Sequence, residues 1–438
     1  MQGVNCAVCC SWLNVLRDRG IAGRYRNRFD VHRLIPGQSG DQPKSNELSC
    51  RKPSYRIHMR FDPASLIVAH DYFAIRGGGE RLVLDLARGL NASIIYGYAT
   101  MESYERELFP AATRDLRLPP FLRRRGLHLP ALAWAFGRQR NRLASFDTRI
   151  FSGVCAPLAA PIGGTSGRNI FYCHTPPRFL YDQRDFFQGQ SSLFTRLGMA
   201  MIGASFERSY VKAIERMHAI VANSENTRGR ISQFLGRDSV VVHPPCDTAG
   251  FTWGEPQGYY LSTARLAPLK RIDRIIDAFR LLPDKRLVVT SGGESADALR
   301  VHAAGAANIS FTGWIGETDL RSLVAGAIAT VYVPVDEDFG MSPVESMAAG
   351  KPVIGVAEGG LLETVVNGET GILLQKDFTA EDLAETVNWL SAKRAMSMRH
   401  ASQERAAQFA RTRFIDRMLQ VIEFAHSQSV FPTTKPPT

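Results

Sequence analysis

Residues 329–357 read ATVYVPVDEDFGMSPVESMAAGKPVIGVA, and this stretch decides the fold class. Two short apolar runs, 329–334 and 352–357, flank a loop and a helix-forming segment. The runs lack the alternation of a half-exposed strand, so they are typical of strands buried on both faces of a parallel sheet. The stretch is therefore predicted to be one strand–helix–strand unit of a doubly wound α/β domain.

The same alternation extends in both directions along the chain. Further strands of this series are predicted at GYYLSTA (258–264), RLVVTS (286–291), NISFTG (308–313) and TGILL (370–374). An earlier series comprises SLIVAH (65–70), SIIYGY (93–98), RIFS (149–152), NIFYCH (169–174), AIVANS (219–224) and SVVVH (239–243). Residues 244–257 carry three prolines and two glycines and separate the two series as a linker. The sequence therefore predicts an α/β protein with two doubly wound Rossmann-like domains that face each other across a cleft.

The length of 438 residues is too great for one compact core. We predict a disordered extension over residues 1–58, a first domain over 59–245 and a second domain over 246–410. The last segment, 411–438, is predicted to be a helix followed by a loose tail. Met59 immediately precedes the first good strand, which makes it a candidate for the start of the folded unit.

The composition excludes several classes of protein. Hydrophobic residues make up 45% and charged residues 22% of the chain, which excludes wholesale disorder. The net charge is +11, of which +6 lies in residues 1–58, so the rest is only mildly basic. No apolar run approaches the ~20 residues of a membrane-spanning helix. The first residues lack a basic leader and a cleavage site, which argues against secretion.

The seven cysteines are scattered, and their number is odd. This pattern predicts reduced thiols in a cytosolic protein. Cys6, Cys9 and Cys10 could suggest zinc, but no second Cys/His pair at ligand spacing follows them, and a structural zinc site needs ~4 ligands. We therefore predict no metal there.

The loop and helix start inside the opening stretch form a predicted anion site. Glu337 and Glu345 stand eight residues apart, and Gly340, Met341 and Pro343 lie between them. Pro343 suits the first helical position, where a missing N–H costs nothing. Free backbone N–H groups at Gly340 and Met341, beside the helix dipole, suit a phosphate. A carboxylate on either side of that anion indicates a ligand with hydroxyl groups at both ends, such as a sugar, a diphosphate and a ribose in series.

Two other interpretations of these acidic residues stay open. The segment from Ser342 to Glu345 also matches a capping box, in which Glu345 would bond back to the Ser342 N–H. The segment Asp336-Glu337-Asp338 mimics a metal-binding D-x-D, although no other acids cluster with it in the sequence. Glu337 has no capping role to explain it and is the stronger candidate for binding a ligand.

Two cations follow the first strand of the second series, in STARLAPLKRID (262–273). Arg265 and Lys270 flank a proline-containing turn at the carboxyl edge of the predicted sheet, where they would neutralise a diphosphate leaving group. A pair of solvated loop cations is the alternative. Gly292 and Gly293 follow the next strand and offer backbone N–H groups with close access, which is a weak signal by itself.

The first domain offers a glycine turn and a histidine. Gly77, Gly78 and Gly79 join the opening strand to a helix and form a second strand–glycine–helix anion site. The turn lacks the spacing of a dinucleotide fingerprint, and no acidic residue ends the next strand, so NAD binding is disfavoured. His174 ends a strand, where it could hydrogen-bond a sugar hydroxyl or an acceptor in the cleft. A structural histidine is the alternative.

Together these motifs resemble a known family. The spacing from Glu337 to Glu345 is similar to the E-x7-E signature of retaining glycosyltransferases of family four, which have the GT-B fold. The closest resemblance is to the mannosyltransferases that build O-antigen and exopolysaccharide repeat units, and it spans about Leu66 to Asp382. The segments that match in family order are AHDYFAIRGGGERLVL, FYCHTPPRFLYD, IVANSENTRGRI, VVHPPCDT, STARLAPLKRID and EDFGMSPVESMAAGKPVIGVAEGGLLETVVNGETGIL.

The resemblance implies a role for each motif. Arg265 and Lys270 would hold the donor diphosphate. Together with Glu337 and His174, they would be the catalytic residues. Glu337 would contact the transferred sugar, and Glu345 would bind the ribose. The other donor-binding residues would be Gly293, Gly313, Trp314, Phe339, Gly340 and Met341. The acceptor side would comprise Gly77, Gly78, Gly79 and His174, and the final helix would return to the first domain after a break near Arg411.

The resemblance also implies the reaction. The chain would move a hexose, with mannose from GDP-mannose as the best guess, to a lipid-linked oligosaccharide in cell-surface polysaccharide synthesis. The configuration of the sugar would be retained, and neither a metal nor another cofactor would be needed. A UDP-hexose donor is the alternative. The chain departs from the family at residues 291–294, where Ser-Gly-Gly-Glu stands in place of a G-x-G-P turn.

One basic segment predicts contact with a membrane. Residues 119–142 hold six arginines and no acidic residue, interleaved with Trp134, Phe136 and several leucines. That composition suits docking on an anionic surface, and a solvated helix and loop is the alternative. The predicted location is cytoplasmic, on the inner face of the plasma membrane. The arginines are Arg123, Arg124, Arg125, Arg138, Arg140 and Arg142.

Two other classes of protein are weaker interpretations. A nucleic-acid-binding protein is suggested by the basic charge, but most of the excess lies in residues 1–58, and no nucleic-acid-binding module is evident. We therefore predict no nucleic-acid partner. A nicotinamide-dependent oxidoreductase lacks its glycine fingerprint.

Overall fold

The computed structural model of the chain describes residues 65–124, 126–163, 166–182 and 193–427, without the side chains of 193–202. The predicted disordered extension, its four cysteines and Met59 lie outside the described residues, as do Arg125 and the predicted loose tail after residue 427. In the described part, no helix is long and apolar enough to cross a membrane.

The first series of strands forms one parallel sheet of seven. The strands are β1 (Leu66–His70), β2 (Ser93–Tyr96), β3 (Thr113–Asp115), β4 (Thr148–Ser152), β5 (Arg168–Cys173), β6 (Ala219–Ala222) and β7 (Val240–Val241). Their spatial order is β3-β2-β1-β4-β5-β6-β7. Strand β3 was not predicted, because its sequence Thr-Arg-Asp has no apolar residue and it lies at the open edge of the sheet.

Helices cover both faces of this sheet, as its nearly continuous apolar strands require. One face packs against α1, and the other packs against helices that include α2 and α4. The α-helices in the described part of this domain are α1 (Gly78–Gly89), α2 (His128–Gly137), α3 (Arg140–Leu143), α4 (Leu193–Glu215) and α5 (Glu225–Leu235).

The second series forms a parallel sheet of six strands with a core of its own. The strands are β8 (Tyr259–Ser262), β9 (Arg286–Thr290), β10 (Ile309–Gly313), β11 (Thr330–Tyr332), β12 (Val353–Val356) and β13 (Gly371–Leu374), in the spatial order β10-β9-β8-β11-β12-β13. Its helices are α6 (Ile272–Arg280), α7 (Ala296–His302), α8 (Glu317–Gly326), α9 (Met341–Ala348), α10 (Leu361–Thr364), α11 (Ala380–Trp389), α12 (Ala392–Ser397) and α13 (Arg399–Ala407).

The last helix, α14 (Arg411–Ser427), leaves the second sheet and packs on the first. Its buried face joins the core formed by β1, β4 and β5, and the Arg168 Nε donates a hydrogen bond to the Ala425 carbonyl at 2.9 Å. Arg411 forms an ion pair with the buried Asp85 of α1 at 3.0 Å. The core side chains of α14 are Phe414, Met418, Val421, Ile422 and Ala425.

In both sheets the strand order reverses beside the first strand of the series, between β1 and β4 and between β8 and β11. Ligands of open α/β sheets bind at such a reversal, outside the carboxyl ends of the strands. The register places His70 of β1 directly beside Ser152 of β4, so polar groups from neighbouring strands meet at that edge.

Candidate active site

The loop between β11 and α9 turns into its helix at Gly340. This glycine has φ of +90°, in the left-handed region that other residues avoid, and it is the N-cap of α9. The helix therefore begins at Met341, two residues earlier than Pro343, where a capping box with Ser342 as the N-cap would start it. The N-cap makes no side-chain hydrogen bond, so the capping interpretation of Glu345 is wrong.

Glu345 lies instead among charged groups from both domains. Burial raises the pKa of Glu345, and the Glu317 carboxylate adds to the increase, whereas the Arg81 guanidinium opposes it. Arg81 belongs to α1 and also forms ion pairs at 3.3 Å with Asp247 and with Glu317. Glu345 therefore faces the first domain at the cleft.

Glu337 and Lys270 come together as the sequence predicts, and a third residue, Tyr332, contacts both of them. The ammonium of Lys270 forms an ion pair with Glu337 and donates to the Tyr332 hydroxyl at 3.1 Å. The Tyr332 hydroxyl donates in turn to Glu337 Oε2 at 2.9 Å. Burial alone would lower the pKa of Lys270, but Tyr332 and Glu337 outweigh it and raise this pKa above its ordinary value. Lys270 is therefore a fixed cation next to a fixed carboxylate.

Arg265 has a different partner from Lys270. It pairs at 2.8 Å with Glu294, in the turn after β9, and both side chains are about half exposed. The turn packs against the Arg265 loop, since Leu266 N–H donates to the Gly292 carbonyl at 2.9 Å. Gly293, the next residue of the turn, therefore lies at the same edge of the second sheet.

Trp314 rests on the same turn. A Cβ on Gly292 would lie 2.2 Å from Trp314 Nε1, so a larger residue there would push aside the indole, which is 74% exposed. Gly313, just before it, has φ of +72° and accepts a hydrogen bond from Ser291 N–H at 2.9 Å. Ser291 itself has φ of +92°. The residue that replaces the family's usual glycine thus keeps a backbone conformation that glycine adopts more readily.

The two aspartates of the D-x-D segment pair with the first domain. Arg230 of α5 forms ion pairs with Asp338 and, at 2.5 Å, with Asp336. Arg178 approaches Asp336 at 3.2 Å. In the described part of the chain, no group of three or more His, Cys, Asp or Glu side chains is arranged to hold a metal ion. The segment therefore serves as a contact between the domains.

His174 is held from behind by a serine and a second histidine. Ser152 Oγ lies 2.8 Å from His174 Nε2, and His70 Nδ1 lies 3.2 Å from both the hydroxyl and the carbonyl oxygen of Ser152. Because a carbonyl only accepts, we assign a proton to His70 Nδ1. The serine hydroxyl is then free to donate to His174, whose own proton lies on Nδ1. Burial lowers the pKa of His174 to about 4, so the ring is neutral near pH 7.

The glycine turn of the first domain touches both sides of the cleft. A Cβ atom added to Gly79 would lie 3.6 Å from the His174 ring, and one added to Gly78 would lie 3.2 Å from Met341 Cγ of the second domain. Gly77 precedes them as the N-cap of α1. The predicted acceptor-side residues and the start of α9 therefore lie close together.

Phe339 is placed differently from the other predicted donor-binding residues. Its side chain is buried in the second core, 5.4 Å from the rings of His243 and Phe409. The buried ring anchors the loop between β11 and α9 to the core of the second domain, and only the backbone of Phe339 is available to a ligand.

The sequence missed three groups of this site. Tyr332 lies on β11 and counted there as one more apolar strand residue. Ser152 and His70 end strands β4 and β1, and a polar residue at the carboxyl end of a parallel strand was a signal that could have identified both.

The basic segment is partly an exposed surface. Trp134 is 64% exposed on α2, and the guanidinium of Arg138 lies 5.0 Å from its ring centre. Arg123 and Arg140 instead donate hydrogen bonds to the carbonyls of Leu118 and Leu158. The remaining described arginines of the segment, Arg124 and Arg142, are exposed.

Comparisons with known proteins agree with this geometry. The sequence model of "Glycosyltransferase Family 4" matches residues 76–249, and that of "Glycosyl transferases group 1" matches residues 249–409. Fold and site thus define a glycosyltransferase with the GT-B fold. The chain belongs to glycosyltransferase family 4.

Individual proteins are similar over most of the chain. The alpha-1,3/1,6-mannosyltransferase ALG2 of Dictyostelium discoideum is 26% identical over 380 residues, which are 71% of this chain and 86% of that protein. The alpha-1,3/1,6-mannosyltransferase alg-2 of Neurospora crassa is 27% identical, over 83% and 91% of the two chains. The crystal structure of Anabaena HepE with UDP-glucose has a TM-score of 0.64 at 18% identity and covers 82% of this chain and 99% of its own.

Proposed function

We propose that this glycosyltransferase moves mannose from GDP-mannose to a hydroxyl group of a lipid-linked oligosaccharide, with retention of the anomeric configuration. Two relatives that align along most of the chain are named mannosyltransferases, which supports the sugar. The observation that carries the proposal is the group formed by Lys270, Glu337 and Tyr332, which holds a cation and a carboxylate side by side at the carboxyl edge of the second sheet.

In this proposal the donor diphosphate binds to the second domain. Lys270 uses two of its three N–H donors on Tyr332 and Glu337, and the third is available to a phosphate oxygen. Arg265 and the backbone N–H groups of Gly293 and of the Gly340 turn add donors at the same edge. These groups stabilise the negative charge that develops on the departing diphosphate.

The ends of the donor are recognised by other side chains. The exposed Trp314 offers a flat surface on which the base stacks, beside the backbone of Gly313. Glu345 binds the ribose hydroxyls, and the free oxygen of Glu337 accepts a hydrogen bond from the sugar. His174, with its proton on Nδ1, donates to the sugar or the acceptor.

The reaction passes through a transition state with oxocarbenium character. In this proposal, the acceptor hydroxyl attacks on the face from which the diphosphate leaves, and the leaving phosphate takes its proton. Protein cations take the place that a divalent metal has in other transferases. The enzyme acts on the cytoplasmic face of the membrane, to which the exposed arginines near Trp134 bind.

A donor panel tests this function. Purified protein is incubated with radiolabelled GDP-mannose, UDP-glucose or UDP-galactose and a prenyl-diphosphate-linked glycan, with and without EDTA. We expect transfer of mannose only, unchanged by EDTA, with a product that α-mannosidase cleaves. Transfer from a UDP-hexose would show that the donor is not GDP-mannose but would leave the proposed class of reaction unchanged. Absence of transfer from every sugar nucleotide would contradict the proposal.

A further inference from the structure

A cavity of about 860 Å³ lies at the open edge of the first sheet, along β3. Its volume is within the range of ligand sites, ~300–1,000 Å³. We call it the edge pocket. The residues used below are Tyr96, Arg106, Arg114, Asp115, Arg117 and Gln139, all of which line it.

The edge pocket is cationic. Its charged lining groups are three arginines and one aspartate, Asp115. Asp115 Oδ1 accepts a hydrogen bond from the backbone N–H of Arg117 at 2.7 Å. Within the described ranges of the chain, none of Arg106, Arg114 and Arg117 forms an ion pair, although many other arginines of this protein do. Their guanidinium groups are therefore available to an anion.

A buried tyrosine supplies a further donor. Tyr96 is 5% exposed, with its ring 5.1 Å from that of Phe73 and 5.7 Å from that of Phe109. Burial raises the pKa of Tyr96, Asp115 adds to the increase and Arg106 opposes it, so the hydroxyl lies near these two charged groups. This hydroxyl makes no hydrogen bond to any residue in the described part. It is therefore available to donate to a phosphate oxygen.

The position of the edge pocket connects two parts of the first domain. On one side, Gln139 lies between Arg138 and Arg140 of the basic segment. On the other side, the Phe73 ring packs 5.1 Å from that of His70, the residue behind the predicted catalytic histidine. The pocket therefore borders the basic segment at Gln139 and connects to His70 through the ring contacts of Tyr96 and Phe73.

We propose that the edge pocket binds a phosphate group carried by a lipid, an inference that rests on the lipid-linked acceptor of the proposed function. Planar guanidinium groups bind phosphate oxygens in pairs, and three of them lining one cavity together with a hydroxyl suit a phosphate ester or a diphosphate. The phosphate comes either from the diphosphate of the acceptor or from the head group of an anionic phospholipid.

Two binding measurements on the full chain separate these sources. In the first, geranyl diphosphate is titrated by calorimetry with the nucleotide site saturated by GDP, so that the donor site does not contribute. In the second, the protein is sedimented with vesicles of phosphatidylcholine alone or with phosphatidylglycerol. The variants are Arg114→Gln/Arg117→Gln and Tyr96→Phe. Arg286→Gln, an exposed arginine of the second domain, is the matched control.

We expect the double variant to weaken binding in one of the two measurements by ~10-fold or more, since each arginine loses a charge-assisted hydrogen bond. Tyr96→Phe should weaken the same measurement by a smaller factor. A loss with geranyl diphosphate identifies the acceptor diphosphate, and a loss only with phosphatidylglycerol identifies a lipid head group. Unchanged binding in both, or an equal loss in Arg286→Gln, would overturn the proposal.

Both experiments measure binding and not turnover, so their outcome does not depend on whether the proposed function is correct. If no sugar is transferred but the double variant still loses affinity, the edge pocket stands and the mannosyltransferase proposal fails. If mannose is transferred and the double variant binds both probes normally, only the edge pocket fails.

Discussion

Tyr332 keeps a cation and a carboxylate in a fixed geometry at the site. Its hydroxyl accepts a hydrogen bond from Lys270 and donates one to Glu337. Tyr332→Phe removes both bonds and keeps the ring. We expect kcat to fall by about tenfold while the KM for the donor changes by less than about threefold, because a hydrogen bond to a charged group contributes ~1.5–3 kcal/mol. Steady-state kinetics with varied donor measures both values, and an unchanged kcat would contradict the role.

Ser152 determines which nitrogen of His174 carries the proton. Its hydroxyl lies 2.8 Å from His174 Nε2. In Ser152→Ala we expect the ring to lose its single tautomer and kcat/KM to fall, with the protein still folded. Nitrogen-15 NMR of histidine-labelled protein reports the tautomer, and His174→Gln assigns the signal.

A control keeps this test specific. Ser152→Thr retains the hydroxyl and should retain the tautomer with the proton on Nδ1. A wild-type His174 that carries its proton on Nε2 would show that the serine does not donate to it.

At the scale of residues, the sequence predicted the charged groups of the site better than the residues that hold them in place. Glu337 and Lys270 were identified because a carboxylate and a cation in strand-end loops need an explanation, and the structure pairs them. Arg265 was expected beside Lys270 but pairs with Glu294, since side-chain partners across loops leave no spacing signal. Tyr332 was missed because a tyrosine within a buried strand is ordinary.

Helix α5 is capped from two domains at once. Ser224, its N-cap, accepts from Thr227 N–H at 3.0 Å. Glu363 of the second domain accepts from the N–H groups of Glu225 and Asn226 at 2.7 and 3.0 Å. The negative carboxylate thus lies at the positive end of the helix dipole.

Removing the charge of Glu363 should loosen this contact. We expect Glu363→Gln to lower the free energy of unfolding by about 1 kcal/mol, the typical contribution of a helix cap. Urea denaturation followed by circular dichroism measures the change. Glu381→Gln, in the first turn of α11, is the control, because that side chain is exposed. Equal losses in the two variants would show that the contact between the domains contributes nothing.

At the scale of elements, apolar runs predicted twelve of the strands. One strand, β3, was missed because its residues are polar. The runs predict strands because burial on both faces leaves no polar positions. β3 carries Thr-Arg-Asp at the sheet edge and gives no such signal. The start of α9 was predicted two residues late, because Ser342 and Pro343 suit a helix start, whereas the helix begins at Met341 after the left-handed backbone of Gly340.

The whole molecule should lose stability in mild acid because of its buried histidines. Burial lowers the pKa of His70 to about 3 and that of His174 to about 4. Below pH 6.5 the unfolded chain binds protons that the folded chain does not, so the contribution to stability falls as the pH falls from about 6.5 to about 4 for His174 and to about 3 for His70. Carboxyls such as Glu80, whose pKa burial raises to about 6, act in the opposite sense.

A comparison of the wild type with a His70 variant separates the contribution of His70 from that of the other titrating groups. Between pH 7 and pH 5, His70→Asn should lose about 2 kcal/mol less unfolding free energy than the wild type. Urea titrations at the two pH values provide the measurement. Parallel losses in both proteins would mean that His70 titrates alike in the folded and unfolded chain.

The two sheets were predictable from the sequence, whereas the contacts between them were not. Periodicity and a proline-rich linker indicate two domains, because each domain buries its own strands. The ion pairs of Arg230 with Asp336 and Asp338 join residues about a hundred positions apart, and nothing local indicates them. The acids instead suggested a metal-binding motif.

The return of α14 to the first sheet has a consequence for how the chain is made. Five of its side chains complete a core whose strands are translated hundreds of residues earlier. While the ribosome is still producing the second domain, that apolar surface has no cover. The core of the first domain is thus complete only once the residues of α14 have been made, and a nascent chain halted before residue 411 exposes a surface on which chaperones bind.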